Sequence, residues 1–384
     1  MVLRFGFLRF RFLRFVRLER RLLAPIVALV LVAAACGSQD EAQDEVSRDA
    51  CTDPVQAATA IDRDVDVAGT TIRLATHGSF ALSDDTLAAF TEQTGIEVEQ
   101  VGAGDAGTLV SSAILTKDNP TADVLFGIDN AFLCRGLDAD LFLAYESPEL
   151  ARVPDEFELD GGSRVTPISY GDVCANYWFN ELPADPPTSL DDLVAEVNRG
   201  QFVTQDAEVS SPGFAFLLAT IAKYGEDGWE DYWRKLLAND AAIAADWESA
   251  YRGDFIAGGG DRSIVMSYAS SPAAEVLFAD PPVDEPPTGV LFDGCFRQIE
   301  FAGILAGTDH PAAAAALIDF MLSTTYQNDI PLNMFVYPVV EDAMLPGVFV
   351  EHAALASDPL TLDPTTIEQN REDWLDQWAE IVLA

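Results

Sequence analysis

The sequence predicts an α/β protein whose sheets are mainly parallel and flanked by helices, and three observations carry that prediction. Between residues 71 and 128, strand-like segments recur three times with helix-length segments between them, the spacing of parallel strands joined by crossovers. Hydrophobic residues make up 49% of the chain and charged residues 22%, enough apolar surface for substantial cores. A length of 384 residues accommodates two or three such cores.

TIRLAT, residues 71–76, alternates apolar and polar side chains and reads as the first strand. Ser83 or Asp84 caps a helix that runs to Thr94 and closes at Gly95, and IEVEQV, residues 96–101, is the second strand. A helix over 108–116 leads past Pro120 to a third, buried strand, ADVLFGI, residues 122–128. Ligands of parallel sheets sit at the carboxyl ends of the strands, which here points to His77 to Phe80, the loop after Val101, and Asp129-Asn130. Gly102, Gly104 and Gly107 match GxGxxG, but they follow the second strand and Asp123 begins the third. They read as a tight turn with close backbone approach and not as a dinucleotide site.

Residues 165–179 read as a further strand. Pro183, Pro186 and Pro187 precede a helix from Ser189 or Leu190 to Val197, residues 202–204 form a short strand, and Ser210-Ser211-Pro212-Gly213 open an apolar helix. Helices are expected near 228–237 and over 247–256. A strand over 263–268 ends at another Ser-Ser-Pro helix start. Residues 280–289 are a proline-rich loop, 295–305 a strand, and the chain beyond His310 is mostly helical. Trp374 and Trp378, four apart in the last helix over about 364–383, are expected in the core.

The chain carries 22 Lys+Arg against 63 Asp+Glu, a formal net charge of -41. That balance excludes non-specific nucleic-acid binding, which needs a basic surface to displace phosphate counterions. The exception is the N-terminus. Residues 1–35 hold seven arginines and one glutamate and end in an uncharged 14-residue run, too short to span a bilayer and suited to a signal peptide. Ala33, Ala34 and Ala35 lead into Cys36, which resembles a lipobox in which the thiol is lipidated; an ordinary secretory peptide with an incidental cysteine is the alternative. Twin Arg20-Arg21 lacks the flanks of a Tat signal, so Sec export is expected. Removal of 1–35 leaves 15 basic and 62 acidic groups, a net of -47. Residues 36–68 then form a lipidated, acidic tether. Outside the cytoplasm, Cys51, Cys134, Cys174 and Cys295 can form two disulfides in any of three pairings.

From about Thr71 onward the chain resembles the thiamine-binding proteins of ABC importers. The resemblance rests on DVLFGIDN (123–130), ISYGD (168–172), SSPG (210–213), WESAY (247–251), SYASSP (267–272), STTYQNDIP (323–331) and VYPV (336–339), in this order over some 300 residues. It implies a two-lobed periplasmic-binding-protein-like (type II) fold, each lobe a mainly parallel sheet flanked by helices, joined by crossing hinge strands. One lobe is expected to hold residues 69–171 plus 297–384 and the other 172–296. The resemblance further implies a Cys174–Cys295 disulfide between the crossing strands and a Cys51–Cys134 disulfide.

Thiamine presents a flat aminopyrimidine, a permanently cationic thiazolium and a hydroxyethyl tail that can carry phosphate, and it calls for aromatic faces and carboxylates. The resemblance implies that Trp247, Tyr251 and Tyr268 supply aromatic faces, with Phe335 where relatives generally have Trp. Ser210, Ser211 and Ser271, at helix N-termini, suit the hydroxyl or phosphate end. Asp129 and Asn130, His77 and Ser79 in the first strand's loop, and Tyr170 of ISYGD complete the expected ligand set. Phe335 and Ala273-Ala274 depart from the family pattern and leave room for a modified thiamine or another heteroaromatic cation. By residue type alone, the aromatics also fit core packing and the serines helix caps.

The expected protein is a monomeric, membrane-anchored binder that hands thiamine or its phosphates to an ABC permease with a cytoplasmic ATPase. No cofactor or metal is expected. A polyamine binder or an iron(III) binder on the same fold is the alternative, although iron relatives need a tyrosine pair and the sequence contains no Tyr-Tyr. A hydrolase would want GxSxG or HExxH, and neither is present.

Overall fold

The structure, a computed structural model, describes Cys51, residues 61–102 and residues 104–384. The expected leader, Cys36 and part of the tether lie outside the described residues. The strands are β1 (Thr71–Thr76), β2 (Glu97–Gly102), β3 (Val124–Asp129), β4 (Phe142–Leu143), β5 (Thr166–Trp178), β6 (Phe202–Gln205), β7 (Ala242–Ala244), β8 (Ile264–Tyr268), β9 (Thr288–Leu305) and β10 (Tyr337–Pro338). They form one sheet in the order β2-β1-β3-β9-β5-β8-β6-β7, with β4 added to β9 and β10 to β5.

Each end of that sheet is a parallel unit. β2, β1 and β3 run parallel at one end, and β8, β6 and β7 at the other. Between them β5 and β9, antiparallel to each other, pass from one end to the other. Val173 pairs with Phe296, but Ala175 pairs with Leu291, so residues 292–295 bulge out opposite Cys174. At this break the Cys174–Cys295 disulfide joins the two strands, with Cα atoms 4.4 Å apart. A second disulfide, Cys51–Cys134, with Cα atoms 5.3 Å apart, ties the segment before β1 to the helix after β3.

The helices follow their caps. Ser83 accepts from Thr86 N–H to start the helix Asp84–Thr94, which ends at Gly95 with φ +72°. The next helix, Ala106–Leu115, begins two residues before the predicted start because Asp105 caps it. Ser211–Tyr224 is apolar on every side and buried over most of its length between the sheet and its neighbours. Trp374 and Trp378 of the terminal helix Pro364–Val382 are buried, and Trp378 meets Trp233 edge-on at 5.6 Å.

Three predicted elements differ. The helix expected from Ser189 or Leu190 to Val197 is one short α turn, Leu190–Leu193, and a separate 3₁₀ turn, Glu196–Asn198. β9 begins at Thr288 and not at Cys295, because residues 288–291 pair with 175–178 although Gly289 weakens the strand pattern. The helix expected over 247–256 is one α turn, Trp247–Ser249, then a π turn, Ala250–Asp254, and a 3₁₀ turn, Ile256–Gly258. Gly253 and the Gly258-Gly259-Gly260 run remove the helix propensity that a regular continuation needs.

Candidate ligand-binding site

The carboxyl ends of β1 and β2 face the helix starts that follow β6 and β8, and between them lies a cavity of about 630 Å³. Sites for small organic molecules span about 300–1,000 Å³ and favour this position in open α/β sheets.

From the β1 side come His77 and Ser79, and from the turn after β2 comes Asp105. His77 reaches its place because β3 is irregular at Gly127, where φ is +104° and a Cβ would stand 2.5 Å from the His77 ring. The GxGxxG glycines make the close approaches expected of a turn. Gly78 N–H donates to Gly104 C=O at 2.6 Å, and Gly107 N–H donates to Val209 C=O at 3.0 Å.

The opposite wall is aromatic. Trp247 and Tyr251 stack with ring centroids 5.1 Å apart and planes 17° apart, and both line the cavity with Tyr268. Their polar ends are held by protein: Trp247 Nε1–H donates to Ser267 Oγ at 3.1 Å, and Tyr251 OH donates to Glu275 at 2.6 Å. Ser271 and Ser267 exchange a hydrogen bond at 3.0 Å. Phe335, at φ +53°, has its carbonyl bound by the Ser270 hydroxyl and its ring edge-on to Phe278 at 5.6 Å.

Acid outweighs base on the wall. Asp105, Glu275 and Glu300 line it, opposed by Arg252 and His77, and Asp129 is buried close behind. Burial, reinforced by the charge of Glu300, pushes the Asp129 carboxyl up to about 7 against the opposing hydrogen bonds from Ser211, Ala131 and Phe132. Burial pulls His77 down, but the close approach and charge of Glu300, with the charges of Asp105 and Asp129, outweigh it and hold the imidazole above its usual value. Burial raises Glu275 as well, and keeps the Tyr251 and Tyr268 hydroxyls neutral.

Eight of the twelve expected residues therefore line one cavity: His77, Ser79, Ser211, Trp247, Tyr251, Tyr268, Ser271 and Phe335. The other four stand elsewhere. Asp129 accepts from Ser211, from Gln298 at 3.2 Å and from Ala131 N–H at 2.8 Å, so it braces the wall from behind. Asn130 is a strand clasp, donating to Arg297 C=O at 3.0 Å and accepting from Ile299 N–H at 2.9 Å. Tyr170 packs between Phe157 and Tyr337 under the Arg297 guanidinium, away from the cavity. Ser210 is fully buried at the helix start, one residue short of the wall.

Sequence reasoning missed Asp105, Glu275, Gln298 and Glu300. Gln298 and Glu300 did leave a signal, alternating with Ile299 and Phe301 in a strand buried on both faces, where polar side chains need a reason. Asp105 was hidden in a glycine-rich turn.

A concave site between two parallel units, lined by aromatic rings and by carboxylates, defines a small-molecule binding protein. The chain belongs to the bacterial extracellular solute-binding proteins, whose family pattern it matches over residues 119–354. It is similar to the thiamine-binding periplasmic protein of Salmonella typhimurium, 29% identical over 295 residues, covering 77% of this chain and 86% of that one. The thiamine-binding periplasmic protein of Brucella suis is 26% identical over 292 residues, covering 75% and 84%. Among solved structures, a periplasmic thiamin binding protein superposes with a TM-score of 0.72 at 27% identity, covering 84% of this chain and 99% of that one. The fold is thus the two-lobed type II binding-protein fold.

Proposed function

We propose that this protein binds thiamine or a thiamine phosphate in the cleft between its lobes and delivers it to an ABC permease driven by a cytoplasmic ATPase. The observation that carries the reading is the Trp247–Tyr251 stack in a cavity also lined by Asp105, Glu275 and Glu300, which suits a flat cation. The names of the similar proteins point to the same ligand. Residues 69–171 with 297–384 form one lobe and 172–296 the other, a division supported by the break in β5–β9 pairing beside Cys174. The protein acts as a monomer outside the cytoplasm, held to the membrane by lipid on Cys36. His77, Ser79, Ser211, Trp247, Tyr251, Tyr268, Ser271 and Phe335 contact the ligand, and Asp129 supports them.

A polyamine also suits the acidic wall, though it makes no use of stacked rings as platforms for a planar ligand. Calorimetric titration with thiamine in the presence of excess spermidine, and separately of ferric citrate, tests the assignment. Thiamine affinity is expected to stay within about threefold of its value in buffer, as for ligands that do not share the site. Full displacement by spermidine or iron overturns the thiamine reading.

A further inference from the structure

The deep wall of the cavity carries polar atoms that the protein leaves without partners. Gln298 is 4% exposed and its Oε1 accepts no hydrogen bond among the described residues. His77 is 8% exposed, and its Nε2 lies 3.5 Å from Glu300 Oε1 without making a well-formed hydrogen bond. Glu300 is 6% exposed and is held through its other oxygen by the Ser169 hydroxyl at 2.8 Å. All three line the cavity. A buried polar atom without a partner costs free energy comparable to a lost hydrogen bond, so two of them, Gln298 Oε1 and His77 Nε2, beside the Glu300 carboxylate call for an occupant that completes them.

Resting on the thiamine reading above, we infer that Glu300 determines which heteroaromatic ring the cavity accepts, by taking a hydrogen bond from an exocyclic ring amine. Gln298 Oε1 is a second acceptor for the same amine. His77 Nε2–H is a donor suited to the ring nitrogen beside it, and the acids around His77 favour that protonated form. The pattern of two acceptors and one donor complements an amino-nitrogen ring edge, and it opposes the same ring bearing a carbonyl in place of the amine. A carbonyl oxygen there meets the carboxylate with acceptor against acceptor.

The probes are thiamine and oxythiamine, its analogue with the 4-amino group replaced by a carbonyl, titrated calorimetrically into the wild-type chain, Glu300→Gln and Trp247→Ala. Wild type is expected to prefer thiamine. Glu300→Gln keeps the size and the Ser169 contact, and its amide presents N–H to a carbonyl as readily as C=O to an amine. It is expected to weaken thiamine about ten- to hundredfold while leaving oxythiamine equal or tighter, so that the preference collapses. Trp247→Ala is expected to weaken both ligands alike, and so keep the ratio. A preference unchanged in Glu300→Gln overturns the inference, whether both affinities hold or both fall together through a general loosening of the site. A wild-type chain that binds thiamine and oxythiamine equally overturns it too and leaves the thiamine assignment standing. A wild-type chain that binds neither overturns both.

Discussion

Ser211, which opens the helix after β6, donates its hydroxyl to the carboxylate of Asp129, which ends β3 at the opposite end of the sheet. The bond crosses the cleft beneath the cavity, and Gly107 N–H to Val209 C=O crosses beside it. Closure of two lobes over a ligand needs such contacts, since a ligand shifts the balance only by what it and the closed form gain together. Ser211→Ala removes the hydroxyl while Asp129 keeps its backbone donors. Thiamine binding is expected to weaken about fivefold, a loss of about 1 kcal/mol. Solution scattering of the liganded variant is expected to give a larger radius of gyration than wild type, and an unchanged radius with unchanged affinity counts against the bond as a latch.

Binding of a cation is expected to release protons near neutral pH. Asp129, pushed up to about 7, holds its proton in the empty folded protein at pH values where a free carboxyl, near 3.8, has lost it. A cation in the cavity favours the ionised carboxylate of Asp129, so affinity should rise as pH climbs through 7, by at most about tenfold per unit for the proton released. The same shift works the other way on folding. For the empty protein, the stabilisation from Asp129 is complete below about 4 and is lost as pH rises through about 7. Calorimetry at pH 6, 7 and 8 in buffers of different ionisation enthalpy reads the proton release directly.

The aromatic wall is expected to carry the affinity. Trp247→Ala and Tyr268→Ala each remove a face from the cavity and are expected to weaken thiamine about five- to thirtyfold, the loss of one cation–π contact of about 1–2 kcal/mol. Tyr170→Phe, away from the cavity, is expected to leave affinity within about twofold, because its ring contacts with Phe157 and Tyr337 survive. Fluorescence titration of the three variants separates wall from scaffold.

The Cys174–Cys295 disulfide closes a loop of 121 residues across the break between β5 and β9. Paired Cys174→Ala and Cys295→Ala substitutions are expected to lower unfolding free energy by about 2–5 kcal/mol. Thermal unfolding in non-reducing buffer measures the loss, and an unchanged midpoint rejects the crosslink as a stabilising element.

The sequence carries these features through signals of different kinds. Strand β3 and the helix from Ser211 declared themselves through uninterrupted apolar runs, and Trp374 and Trp378 through their four-residue spacing. The π turn through Tyr251 was not legible, since the local pattern is helical and the glycines that disrupt it come later. Asp129 illustrates the limit for the site. Its place at a strand end marked it as important, but whether it faces ligand or braces Ser211 depends on side chains 82 residues away, which only packing decides. Tyr170 stands away from the cavity in the same way, because one step of strand register moves a side chain to the other face of the sheet. Gln298 and Glu300 lie beyond the predicted carboxyl-end positions, on a strand that crosses the site from the other direction.

Thiamine is expected to sit in this cavity on the Trp247–Tyr251 wall. Isothermal calorimetry of the wild-type chain beside Trp247→Ala tests it most directly. The prediction is one site per chain with micromolar or tighter affinity for thiamine, clearly weakened in the variant. No heat of binding from the folded wild-type chain, or equal binding by both proteins, contradicts it.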